Sequence, residues 1–169
     1  MTPEGASQPR GDFETGLTTD DQLDLRTWLR LLTCANMIEG EVRERLRTEF
    51  DITIARFDLL AQLHRANEAL TMGELSRRLM VTNGNVTALI DRLVDENLVA
   101  RRADPDDRRA QIIDLTPGGR RAFAKMSQTH AGWIAGMFDG IDRKSLKALY
   151  GNLARLKASL NADRKTKTN

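Results

Sequence analysis

The sequence holds a single cysteine, Cys34, in 169 residues. An intrachain disulfide is therefore impossible, and no cysteine-rich zinc site can be assembled. Long apolar runs are missing too. No stretch approaches the roughly 20 apolar residues that span a bilayer, so no membrane partner is expected. No apolar segment of signal-peptide type stands near the N-terminus, which makes the cytoplasm the expected compartment. Excess charge of one sign is also lacking. With 26 Lys plus Arg against 24 Asp plus Glu, the formal net charge is +2. That is too little for a protein that holds nucleic acid by bulk charge. Lysine is scarce beside arginine, 6 against 20, and the first is Lys125. Arg suits bidentate contact with phosphates and base edges, although a genomic bias toward Arg would give the same count. Catalytic patterns are absent as well. His64 and His130 stand far apart, and there is no H-x-x-x-H, nucleophile elbow or phosphate loop. Neither an enzyme nor a cofactor is expected.

What is present is an ordinary globular mixture, 40% hydrophobic and 30% charged, enough for one buried core. There is no internal repeat and no low-complexity block. Residues 1–19 read as a flexible arm and residues 161–169 as a polar tail. Residues 20–50 carry a long helical pattern with two apolar stripes. Leu25, Trp28, Leu29, Leu32 and Ala35 form one; Leu31, Ile38, Val42 and Leu46 form the other. Two stripes imply burial on more than one side. Thr53 is placed to cap a second helix. Thr71 and Glu74 form a capping-box pair that opens a short helix to Leu79. Thr82 starts another helix that must stop at Asn97, a residue that tolerates the left-handed backbone of a helix end.

The hydrophobic period then changes. Leu98–Arg102 and Gln111–Leu115 read as two short strands around a polar loop containing Pro105. Thr116 followed by Pro117 is a cap with proline at the first helical position. The helix after it carries Ala122, Met126, Trp133, Ile134, Met137 and Phe138, and Gly140 ends it. Leu146, Leu149, Leu153, Leu156 and Leu160 then repeat at gaps of three and four, a coiled-coil seam. The expected fold is mainly α with a small β-hairpin wing: a winged helix-turn-helix over residues 51–115, flanked by long helices at 20–50 and 116–160.

Helix, turn, helix and hairpin in that order describe a DNA-reading unit. The second helix presents Thr82, Asn83, Asn85 and Thr87, small polar residues able to read base edges in the major groove, and its N-terminus attracts phosphate. Arg77, Arg78 and Arg92 are placed to neutralise phosphates. The hairpin adds Arg101, Arg102, Arg108 and Arg109, and paired Arg at a wing tip suits a narrow minor groove. An Arg-rich loop is equally a solvated surface in many proteins, but the hairpin supplies a second, independent reading element. From Thr71 to Leu115 there are seven Arg and eight acidic residues, a sum of −1. Affinity must therefore come from where the Arg residues are placed.

These residues resemble the MarR family of winged helix-turn-helix transcription regulators. The resemblance runs from Arg56-Phe57-Asp58-Leu59-Leu60, through Leu70-Thr71-Met72-Gly73-Glu74-Leu75 and Val81-Thr82-Asn83-Gly84-Asn85-Val86-Thr87, to Ile90-Asp91-Arg92-Leu93. Its most specific piece is Asp107-Arg108-Arg109, with Leu115-Thr116 after five further residues. Asn97 departs from the family's usual Gly but can adopt the same backbone. The resemblance implies a homodimer, in which the first helix and the last two helices of each subunit intertwine, bound to the two halves of a near-palindromic double-stranded DNA operator. The two-sided first helix and the leucine seam agree, since both need more apolar partners than one small domain offers. A two-fold dimer sets its recognition helices about one DNA turn apart, so half-sites should lie roughly 10 base pairs apart. By the family pattern Asp107 positions Arg109, and Arg109 enters the minor groove.

The resemblance also implies a small-molecule effector, an aromatic acid or an aromatic acyl-CoA thioester, that releases DNA from a repressor. Trp28, Met37, His64 and Trp133 are the candidate pocket residues. Each has a plainer reading as a core residue or, for His64, as the end of its helix. The Arg residues of the first helix could accept an anion, or could pair with Glu39, Glu41, Glu44 and Glu49 at helical spacing. Some members of the family sense oxidants through a cysteine. Cys34, amid Leu31 and Leu32 and with no resolving partner in the chain, reads more readily as a buried structural thiol. Two other classes fit the sequence less well. An enzyme lacks its motifs, since Asp106 and Asp107 lie on a hairpin tip rather than in a cleft. A helical binding module without DNA leaves Arg108 and Arg109 unexplained.

Overall fold

The computed structural model describes residues 22–79, 83–104 and 110–166. In chain order these form α1 (Leu23–Phe50), α2 (Ile54–Ala66), β1 (Leu70–Thr71), α3 (Met72–Leu79), α4 (Asn83–Asp95), β2 (Val99–Ala103), β3 (Gln111–Leu115), α5 (Pro117–Met137) and α6 (Arg143–Thr166). The chain divides into two units, residues 1–127 and 128–169, with α5 running across the boundary.

Local chemistry explains most of the helix ends in the first unit. Thr53 caps α2 by accepting the Arg56 amide at 3.3 Å. Asp51, Asn67 and Asn97 end the helices before them with φ of 51°, 54° and 55°, the left-handed region that Asn and Asp enter at least cost among residues with a side chain. At α3 the Thr71 hydroxyl accepts the Glu74 amide at 3.2 Å, while the Glu74 carboxylate accepts the Thr71 amide at 2.8 Å and hydroxyl at 2.9 Å. These bonds favour the carboxylate and hold Glu74 below its ordinary value of 4.5. A group so depressed contributes its stability above that value and loses it as pH falls through the folded one. Thr71→Ala is expected to cost about 1 kcal/mol in urea unfolding at neutral pH. Its penalty should shrink as the pH falls below 4.5, and an undiminished penalty there would contradict the capping account.

The sheet has strand order β1-β3-β2, all antiparallel. The hairpin pairs Val99 with Leu115 and Ala103 with Gln111, and the Asp104 amide extends it by donating to the Ala110 carbonyl at 3.0 Å. β1 adds Leu70 opposite Ile113. This third strand was not expected, because two residues are too few to show alternation. Sheet and helices enclose one core in which Leu46, Leu60, Leu63, Leu75, Ile90, Leu93 and Ile113 are wholly buried. α5 begins on a cap: Thr116 Oγ1 accepts the Gly119 amide at 2.8 Å and donates to the Asn97 carbonyl at 2.7 Å.

Three expectations are corrected. α5 ends at Met137 rather than at Gly140, because the amides of Phe138 and Asp139 bond three residues back, to Ala135 and Gly136, and that tightening closes the helix early. α6 passes Leu160 and continues to Thr166, so the expected tail is helical over most of its length. Leu is not needed to prolong a helix whose following residues include Ala, Arg and Lys, all good helix formers. Cys34 is exposed rather than buried. On α1 the buried positions are Val42 and Leu46, so this chain covers only the C-terminal part of that helix. The stripe of Leu25, Trp28 and Leu32 is exposed. In the second unit Leu149, Leu153, Leu156 and Leu160 are exposed along α6.

Candidate nucleic-acid interface

α3, α4 and the hairpin form the winged helix-turn-helix. Ser76 is buried on α3 together with Leu75, which leaves Arg77 and Arg78 exposed in its last turn. The Arg77 Nε leans back on the Gly73 carbonyl at 3.4 Å. α4 buries Val86, Ile90 and Leu93 and turns Thr87 and Arg92 outward. Asn83 and Asn85 lie in its first turn. Thr82, Asp107, Arg108 and Arg109 lie outside the described residues.

Arg101, an expected phosphate contact, has a partner within the chain. Its guanidinium forms an ion pair with Asp91 on α4. Arg102, on the opposite face of β2, is exposed and 4.0 Å from Asp114. Asp114 in turn accepts a 2.8 Å bond from Arg120 of α5. A further pair leaves no trace in the local sequence. Arg56, 9% exposed, bonds Glu96 just beyond α4, tying α2 to the end of the recognition helix across 40 residues of chain. Burial and the like charge of Arg92 push the Arg56 guanidinium downward, but an arginine so shifted keeps its charge at neutral pH.

The candidate ligand residues are placed differently. On α1, Trp28 is 54% and Met37 70% exposed. His64, on α2, is exposed with its ring 5.0 Å from that of Phe123. Trp133 belongs to the second unit, is buried, and meets His130 edge-on at 6.2 Å. A pocket of about 390 Å³ lies at the base of the wing, lined by Thr71, Met72, Gly73, Ala110 and Gln111, and includes none of the four. Among the described residues no cluster of His, Cys, Asp or Glu could hold a metal, and no helix is long and apolar enough to cross a membrane.

Comparison with known proteins agrees with this geometry. The profile of the MarR family matches residues 50–110, the stretch from the end of α1 to the foot of β3. An HTH-type transcriptional regulator of Bacillus cereus is 30% identical over 132 residues, covering 78% of this chain and 86% of the relative. The transcriptional activatory protein BadR of Rhodopseudomonas palustris is 31% identical over 118 residues, covering 68% of this chain and 67% of BadR. Among solved structures, a MarR family transcriptional regulator from Silicibacter pomeroyi superposes with a TM-score of 0.70 at 28% identity, covering 85% of this chain and 99% of that one. Fold and family are those of a regulator rather than an enzyme. With its helix-turn-helix, its wing and these relatives, the chain belongs to the MarR family of winged-helix transcriptional regulators.

Proposed function

We propose that the protein is a repressor that binds a near-palindromic operator as a homodimer and is released by a small aromatic acid or its CoA thioester. The observation that carries the DNA half is the recognition helix, mounted on a buried apolar face, with Thr87 and Arg92 turned outward and Arg77 and Arg78 exposed beside it. Thr82, Asn83, Asn85 and Thr87 read bases; Arg77, Arg78 and Arg92 hold phosphates; Asp107 sets Arg109 for the minor groove, with Arg108 beside it. The homodimer is supported by the exposed apolar residues of α1 and α6, which a second copy would cover at about 25 cal/mol per Å² of apolar surface. In this reading residues 20–50 and 116–160 are the dimerisation region and 51–115 the DNA-binding domain.

The effector reading rests on Trp28, Met37, His64 and Trp133. Only two tryptophans are present, and both are in this set, so a ligand that meets either would change the intrinsic fluorescence. Titration with aromatic acids and with their CoA thioesters should quench that fluorescence and weaken operator binding together. Operator affinity unchanged by every compound of both classes would end the effector reading. The exposure of Cys34 favours a second reading, release by oxidants. Under it, peroxide would free the DNA and Cys34→Ser would abolish that response. The activatory name of BadR supports an activator built on the same operator-bound dimer, which a promoter fusion in a strain lacking the gene would separate from a repressor.

A further inference from the structure

We infer that Arg101 is a positioning residue rather than a DNA contact: with Asp91 it forms a strut that fixes the wing against the recognition helix. The inference rests on the DNA-binding reading above and deepens it.

Along β2 the side chains alternate. Val99 and Arg101 share the face of the hairpin on which Ile113, opposite Arg101, is wholly buried. Arg102 takes the other face, with Asp114. Arg101 therefore starts on the core side. Its side chain is 28% exposed, and its Nε is buried with no acceptor among the described residues. The stem covers apolar surface and the guanidinium emerges at Asp91, as long cationic side chains do when they lie along a core. An arginine reaching for phosphate would turn its Nε and both Nη groups to solvent. This one is turned into the seam between β2 and α4.

The position of Asp91 makes the pairing informative. It stands one turn beyond Thr87 on α4, on the side of the recognition helix that carries the candidate base contacts. An unpaired carboxylate there would repel phosphate. Paired, it gives the wing a fixed anchor on the helix that reads the major groove, so both reading elements meet DNA in one relative orientation. The hairpin is also joined to α4 through the turn at Glu96–Leu98 and through the shared apolar core of Ile90, Leu93, Val99 and Ile113. A salt bridge 10 residues apart in sequence closes that turn and leaves the wing less freedom to lose on binding.

Bulk electrostatics and the strut make opposite forecasts. If charge alone matters, Asp91→Asn removes a negative charge near DNA and tightens binding, and Arg101→Met removes a positive one and lowers the salt slope. If the pair is a strut, both variants weaken specific binding about tenfold, Arg101→Met leaves the slope of log K against log salt unchanged, and the reversed pair Asp91→Arg with Arg101→Asp recovers most of the loss. Methionine keeps an apolar stem over the core, and circular dichroism with thermal unfolding identifies any variant that fails to fold. The probe is a duplex selected by the unsubstituted protein from a random-sequence pool, measured against random DNA over a range of salt. Arg92→Ala serves as the phosphate-contact reference, with its slope reduced by about one. Tighter binding by Asp91→Asn, or a slope lowered by about one in Arg101→Met, overturns the strut. If the reversed pair stays weak while folded, the strut is overturned as well. A wild-type protein with no preference between selected and random DNA overturns the DNA-binding reading itself, and the strut's role with it.

Discussion

Gly119→Ala is expected to lower the melting temperature by about 10 °C, or to prevent folding, whereas Gly118→Ala one residue earlier should leave it unchanged or raise it slightly. A Cβ on Gly119 would lie 1.9 Å from the Leu98 carbonyl oxygen and 2.8 Å from its carbon. Both are backbone atoms, and neither can move freely. The same carbonyl accepts the Thr116 amide at 3.1 Å and the Thr116 hydroxyl at 3.3 Å, and Leu98 is joined directly to Val99, the first residue of β2. Relief would pull the start of α5 off the foot of the wing, at a cost of about 3 kcal/mol, which corresponds to about 10 °C in a chain of this size. Gly118 differs by one position only. Its Cβ would meet Thr116 Oγ1 at 3.6 Å and the Asn97 carbonyl at 3.9 Å, ordinary contacts. Alanine there would gain about 0.5–1 kcal/mol from its better helix propensity and a less flexible unfolded chain. Thermal unfolding of the two variants side by side checks the account. Equal effects would contradict it.

Arg109→Ala is expected to weaken operator binding about 10- to 100-fold while leaving the melting temperature within a degree or two of wild type. The DNA-binding unit sums to −1 between Thr71 and Leu115, from seven Arg and eight acidic residues. It therefore has no surplus of charge with which to replace a lost contact. Loss of one base-directed arginine is worth about 1–3 kcal/mol, and sequence discrimination should relax where the wing reads. Arg92→Ala should behave differently, weakening selected and random duplexes alike. Asp107→Ala tests the family's positioning role for that residue. Although it removes a negative charge beside DNA, it should weaken binding in the same direction as Arg109→Ala. A gel shift across the three variants, each compared with wild type, checks this. If Asp107→Ala tightens binding, the acid does not hold Arg109 in place.

The features legible in the sequence are those made by neighbours. The Thr53 cap, the Thr71–Glu74 box, the left-handed Asn97 and the Thr116–Pro117 start each depend on a side chain and a backbone group a few residues apart, and each is in place. The hairpin was legible from its change of period, although β2 is Val99–Ala103 rather than Leu98–Arg102. Contacts between distant residues left no such trace. β1 is too short to alternate, Arg56 meets Glu96 across 40 residues, and Gly119 looks like any other glycine until Leu98 is seen against it. Apolar stripes show which faces seek cover, but not which molecule covers them. Hence Cys34, read as buried, is exposed in this chain. At the candidate interface the outward positions of Arg77, Arg78, Thr87 and Arg92 follow from helical periodicity. The turn of Arg101 toward Asp91 depends on how far β2 lies from α4, which the spacing of residues does not encode.

The central claim is that this protein finds DNA through a few placed side chains and not through bulk charge. Its most direct test is the affinity of the full chain for a duplex selected from a random pool and for random DNA, measured across salt concentration. The account predicts at least a 1,000-fold preference for the selected duplex at physiological salt, with weak binding to random DNA and a two-fold-related pair of half-sites roughly 10 base pairs apart in the selected sequences. Equal affinity for both duplexes, whatever its strength, would contradict it.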